Sequence, residues 1–423
     1  MPTTAPTPAA TTAPAVTGPV TIRWQDFPDY QPFWDRLKAQ LAKDVPNLTV
    51  EYEPMNYDGW VEKLLTTMAA GTPPDVFCSW DPESAKFAEK GTVLDLQPLV
   101  ERDFSQDLLN DFYKWQWAGF LSHDKATRYG LPHYVNLAVV YYNKAAFDEV
   151  ALSYPTRNWT YDDYAQALVK LTKKDSSGKI TRWGGQLSGR WLYHVQAYGG
   201  HMVNPDDWTE CWLDRKEAQD ALEWIRKGTW DQNSLAQPVQ LKGIGQASGV
   251  NLPGWGQGML GSSEDGLGNL AYYVNEAKFD WDMIDVPVGP ARRATMGTTD
   301  GHMIAKATKQ QEAAWKFLVW TTDNFFQGIL MEAWGGIPVR NSQLETWKAT
   351  VTKSYPYLAK VNLDLVPNAM KEGYPMLDEY FKKAAESDAA IKAAFQKIFE
   401  VGDTPVSYLK DIAAQVTALN RAG

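Results

Sequence analysis

Aromatic rings and hydrogen-bonding side chains recur together at several points in this sequence. Trp24, Asp26, Phe27 and Tyr30 lie close together, and Ser79, Trp80 and Asp81 are consecutive. Gln186, Trp191 and Tyr193 make a third group, Glu264 and Asp265 a fourth, and Asp300, Trp334 and Arg340 stand further on. Carboxylates and amides form strong, directional hydrogen bonds to hydroxyl groups, while an indole or phenol ring offers a flat apolar face. A carbohydrate, with alternating hydroxyls and an apolar C–H face, needs both at once. The chain carries 19 Trp, 20 Tyr and 15 Phe in 423 residues. Core packing accounts for most of them, and the surplus is expected to line a site for a flat-faced ligand.

Each residue also has a plainer reading. Trp24 alternates within a strand pattern and could face the core. Asp300 could satisfy backbone groups, Glu264 and Asp265 could be solvated loop acids, and Arg340 could pair with a carboxylate.

Catalysis is the competing class. A glycosidase would also be acidic and aromatic, with two carboxylates flanking the scissile bond. Yet nothing in the chain has the form of a nucleophile elbow, a phosphate-binding loop or a zinc helix. The five histidines, His123, His133, His194, His201 and His302, show no ligand spacing, although His133 and His302 fall near expected site edges. Cys78 and Cys211 make no CxxC pair, which excludes a disulfide-rich scaffold and a cysteine-based zinc motif. We therefore expect no enzyme, no cofactor and no metal site. A net charge of −10 argues against nucleic acid, which needs a basic face, and against electrostatic attachment to anionic lipid. No apolar run approaches the ~20 residues that span a bilayer.

The length suggests two domains of roughly 200 residues. Val20–Trp24 alternates as a strand; Phe33, Leu37 and Leu41 then mark a helix face. Leu48–Tyr52 is a second strand. Asp58 can cap a helix carrying Val61, Leu64, Leu65 and Met68, which Gly71 and Pro73-Pro74 stop. Asp75–Trp80 is a third strand. This alternation predicts a largely parallel α/β sheet, with ligands beyond the carboxyl ends of its strands. Leu137–Tyr142 reads as a long buried strand, Thr160-Tyr161-Asp162-Asp163 as a capping-box start, and Thr181-Arg182-Trp183 as strand-like. The glycine-rich stretches 183–200 and 243–268 read as loops, and helices are expected again over 311–330 and 385–420. Residues 1–19, nearly all Pro, Thr, Ala and Gly, are expected to be a disordered linker. We expect it to be the spacer of an exported protein, lipid-anchored through a signal and cysteine that preceded it.

The order and spacing of short motifs over about residues 20–420 resemble one family, the family 1 extracellular solute-binding proteins of bacterial ABC importers, the group of maltose-binding proteins. The motifs are Ala69-Ala70-Gly71-Thr72-Pro73-Pro74-Asp75-Val76, Phe87-Ala88-Glu89-Lys90-Gly91 with Leu94-Asp95-Leu96, and Gly130-Leu131-Pro132. Tyr141-Tyr142-Asn143-Lys144, Asn158-Trp159-Thr160-Tyr161-Asp162-Asp163, Lys309–Leu318 and Gly336-Ile337-Pro338-Val339-Arg340 follow in the same order.

The resemblance implies a two-lobe type II periplasmic-binding fold. Its N-terminal lobe would comprise 20–134 plus 291–334, and its C-terminal lobe 139–286 plus 341–423. Hinge segments would lie near 134–139, 286–290 and 334–341, with a ligand cleft between the lobes. It places a ligand-contacting polar residue at Asn136, and a cleft aromatic where this chain has Glu264 and Asp265, a departure from the pattern. A carbohydrate, expected to be an oligosaccharide, is the implied ligand, and the permease subunits of an ABC importer are the implied partners of a monomeric protein. A phosphorylated polyol, a polyamine or a metal on the same fold is the alternative.

Overall fold

The computed structural model describes residue 16 and residues 18–56, 58–122, 125–188, 191–236, 252–373, 375–376 and 379–422. The expected linker, apart from Val16, Gly18 and Pro19, lies outside the described residues, as do His123 and the start of the 243–268 stretch.

The chain opens with strand β1 (Val20–Asp26), helix α1 (Trp34–Asp44), strand β2 (Leu48–Pro54), helix α2 (Trp60–Ala69), strand β3 (Val76–Trp80) and helix α3 (Asp81–Glu89). Strand β4 (Gly130–Asn143), helix α4 (Tyr161–Leu171), strand β5 (Ile180–Arg182) and helix α5 (Leu192–Ala197) follow. Then come strand β6 (Ser262–Gly266), helix α6 (Leu270–Glu276), strand β7 (Trp281–Ile284) and strand β8 (Thr295–Ile304). Helices α7 (Gln311–Trp320), α8 (Asn324–Trp334), α9 (Ala384–Phe395) and α10 (Leu409–Arg421) complete the elements used below.

These elements form two compact units. The first comprises Met1–Val135 with Thr298–Thr350, the second Asn136–Gly297 with Val351–Gly423. In the first unit β1 lies between β2 and β3, parallel to both. Strand β8 runs antiparallel along β3, with Asp300 opposite Trp80 and His302 opposite Cys78. The sheet is therefore parallel only over its first three strands. Leu37 and Leu41 of α1 are buried, as the four-residue spacing requires. They join Ile22, Trp24, Val50, Trp315, Phe317 and Phe326 in one core.

Helix ends follow backbone demands. Gly71 and Gly91 take φ of +74° and +63° just after α2 and α3, the left-handed region where a side chain is strained. The start of α2 differs from expectation: its N-cap is Gly59, without a side-chain cap, rather than Asp58.

In the second unit β4 is paired antiparallel with β7 on one edge and β6 on the other. Helix α4 begins in the expected capping box, Thr160 and Asp163 each accepting from the other's backbone N–H. The glycine-rich stretches contain more order than a loop reading allows. Residues 192–197 form α5, all buried, and Ser262–Gly266 is a fully buried strand. Polar residues fill that strand because each finds a partner: Ser262 Oγ donates to the Gly184 carbonyl at 3.0 Å, and Ser263 Oγ meets the Tyr273 hydroxyl at 2.5 Å. Gly185 leaves room for the close approach of β6, since a Cβ there would sit 2.4 Å from Ser262 Oγ.

Candidate functional site

In the first unit the ends of β1 and β3 bring Phe27 and Trp80 together. Their rings stack with centroids 5.5 Å apart and planes 9° from parallel, and Trp60 meets Trp80 edge-on at 4.8 Å. Phe27 and Trp60 are buried, whereas Trp80 is partly exposed. The stack thus holds one indole rigidly while leaving part of it accessible. Ser79 is buried and accepts from the Ser84 hydroxyl at 3.1 Å. The Asp81 side chain lies outside the described residues.

Trp24 is a core residue. It has no exposed surface and packs against Tyr30, Trp34, Tyr52, Phe317 and Phe326, because its place in the β1 alternation points it at α7 and α8. Tyr30 is also in this core, with partly exposed Trp334 edge-on against it at 5.1 Å. Arg340 is buried and held within its own unit: Nη2 donates to the Thr322 carbonyl at 2.6 Å and to Asp323 at 3.3 Å. Its partner carboxylate is thus Asp323 of the same unit. Burial lowers its guanidinium pKa, against the pull of Asp323.

Asp26 is buried at the end of β1 and accepts from the Phe27 N–H at 2.7 Å. Its other carboxyl oxygen lies 2.8 Å from His302 Nε2. Burial pushes its pKa up to about 6, and burial pushes His133 and His302 down to about 3. Asp300 is buried on β8. His133 and His302 sit with rings 4.2 Å apart. Asp26, Cys78, His133 and His302 each present one donor atom, all within 4.8 Å of one another. Sequence spacing concealed this group, since its members come from β1, β3, β4 and β8.

In the second unit Asn136 Oδ1 accepts from the Gly268 N–H at 3.0 Å. Gln186 Nε2 donates to Ser263 Oγ at 2.7 Å and is buried. Trp191 is partly exposed and stacks on Phe399 at 4.9 Å. Glu264 and Asp265 are not solvated loop acids: β6 buries both. Glu264 accepts from the Tyr193 hydroxyl, and the same oxygen lies 3.1 Å from His194 Nε2, whose Nδ1 faces the Tyr161 hydroxyl at 2.8 Å. Its second oxygen is buried without a partner. His194 was a further residue that sequence reasoning left without a role.

Asp265 accepts from the Gly266 N–H at 2.7 Å and Asn269 Nδ2 at 2.9 Å, yet burial still raises its pKa to about 7. A carboxyl raised in the fold keeps its proton where the unfolded chain, near 3.9, has lost it. Its contribution to stability is therefore present below about pH 4 and lost as pH rises through about 7. The Asp265→Asn variant is expected to lose less melting temperature than the parent between pH 4 and 8. An unchanged slope in calorimetric scans would count against this.

Each of the two α/β units thus holds a partly exposed indole against a buried aromatic ring. The family model of the bacterial extracellular solute-binding proteins matches residues 24–324. The chain belongs to that family, and it has the family's two-lobe type II periplasmic-binding fold. It is similar to the diacetylchitobiose binding protein DasA of Streptomyces coelicolor, 26% identical over 72% of this chain and 70% of that protein. Among solved structures it resembles the ABC substrate-binding protein Lmo0181 of Listeria monocytogenes, in complex with cycloalternan. That match has a TM-score of 0.79 and 23% identity, over 95% of this chain and 99% of the other. The maltose/maltodextrin-binding domain MalE of Bdellovibrio bacteriovorus, bound to maltotriose, matches with a TM-score of 0.72 and 16% identity over 95% and 99%. Among the described residues no helix is long and apolar enough to cross a membrane.

Proposed function

We propose that this solute-binding protein captures a carbohydrate, an oligosaccharide, by closing its two units on it, and delivers it unchanged to the permease of an ABC importer. The observation that carries the reading is the partly exposed Trp80, locked against Phe27 and Trp60 at the carboxyl end of β3. A ring fixed in this way can stack on the C–H face of a sugar without losing rotamer freedom. Trp191 on Phe399 supplies the counterpart in the second unit. The sugars named with DasA, Lmo0181 and MalE support the same ligand class. Motion about the segments where the chain passes between the units, next to Val135, Gly297 and Thr350, would close them. The protein works outside the cytoplasm as a monomer, tethered to the cell surface by a lipid anchor.

Thermal-shift screening against oligosaccharides of about two to six units tests the proposal. A cognate sugar at a hundred times its Kd should stabilise the chain by about 2.7 kcal/mol, with little change in affinity on adding salt. Recovery of the sugar with new reducing ends would replace binding by hydrolysis. An affinity that collapses at modest salt would point to a charged solute instead.

A further inference from the structure

We propose that Asp26, Cys78, His133 and His302 form a four-ligand site for a zinc-class divalent cation inside the first unit. All four side chains are buried, and their donor atoms lie within 4.8 Å of one another. The carboxylate, thiolate and two imidazoles match the ligand set of tetrahedral zinc. Ligand bonds of about 2.0–2.3 Å put the edges of such a tetrahedron at roughly 3.3–3.7 Å, so small side-chain adjustments close the cluster. Carboxylate and thiolate together balance a double positive charge.

Hydrogen bonding supplies independent support. An indole N–H only donates, and Trp24 Nε1 donates to His302 Nε2 at 3.3 Å. With Nε2 accepting from the indole, the His302 proton sits on Nδ1. That nitrogen faces Thr321 Oγ1 at 3.0 Å, while the Thr321 hydroxyl donates to the Leu318 carbonyl at 2.7 Å. The single lone pair of Nε2, which coordination would take over from the Trp24 N–H, then faces the Asp26 carboxyl oxygen at 2.8 Å. In that tautomer two acceptors face each other, and they stay at that distance only with a positive centre between them, either a proton on the carboxyl or a cation. His133 Nδ1, beside them, is buried without a partner. A buried orphan nitrogen costs about 1–3 kcal/mol, and coordination removes that cost. Four protein ligands leave no open position, so the site is structural rather than catalytic. Loading releases the Cys78 thiol proton, and the carboxyl proton where present, to solvent.

The test uses the full chain, stripped with a chelator and titrated with cobalt(II) as a spectroscopic stand-in for zinc. About one metal per chain is expected, with tetrahedral d–d bands, a thiolate-to-cobalt charge-transfer band and a higher melting temperature. Cys78→Ser should abolish the charge-transfer band and weaken binding roughly tenfold or more, whereas Cys211→Ser should change neither. His133→Gln gives a second reading, through loss of the d–d bands, should the Cys78 variant fail to fold. A stripped chain that gains neither metal nor stability overturns the proposal and leaves a proton between Asp26 and His302. Bands that survive Cys78→Ser overturn it as well, because the metal is then elsewhere.

Discussion

Trp24→Ala is expected to destabilise the first unit by about 3–5 kcal/mol, the range for deleting a large buried aromatic. The ring has no exposed surface and touches five other rings of the same core, from α1, β2, α7 and α8 among others. Removing it leaves a cavity and takes away the N–H that faces His302. For a unit of this size the melting transition should fall by roughly 10 °C, read by calorimetry on the whole chain. Trp24→Phe keeps part of the ring and loses the N–H, and should fall between. If oligosaccharide affinity collapses while the transition stays put, the ring serves the ligand rather than the core.

Trp80→Ala should behave in the opposite way. Its ring is partly exposed, so truncation is expected to cost stability only modestly. Losing a stacked ring from a carbohydrate site removes roughly 2–3 kcal/mol of binding, about a 30- to 150-fold rise in Kd. Titration calorimetry of parent and variant against the best sugar found in the screen measures this directly. Equal affinities would mean that Trp80 only packs against Phe27 and Trp60, and the carbohydrate reading would lose its main support.

Local periodicity made much of the fold legible. The alternation of Val20–Trp24, the Leu37/Leu41 spacing and the Thr160–Asp163 capping box each rest on contacts within a few residues, and each is found where expected. The motifs carrying the family resemblance are of the same local kind. Strand β6 was illegible for a physical reason. Its sequence, Ser-Ser-Glu-Asp-Gly, carries every mark of an exposed turn, and only partners distant in sequence, Gly184, Tyr193, His194 and Tyr273, make its burial tolerable. The cluster around Asp26 was hidden similarly, because β1, β3, β4 and β8 meet there from positions up to 276 residues apart. Trp24 and Trp80 could not be told apart by residue type. The direction in which each strand position points decides which becomes core and which keeps an exposed edge.

The deep burial of about half of the indoles also governs how the molecule emits light. Trp24, Trp255, Trp281, Trp315 and Trp347 are sealed from water, several within energy-transfer range of other rings. With 19 indoles in the chain, a solute arriving at Trp80 alters only a small share of the signal. Quenching by a dissolved collider would select the partly exposed rings, and its suppression by bound solute would single out those the solute covers.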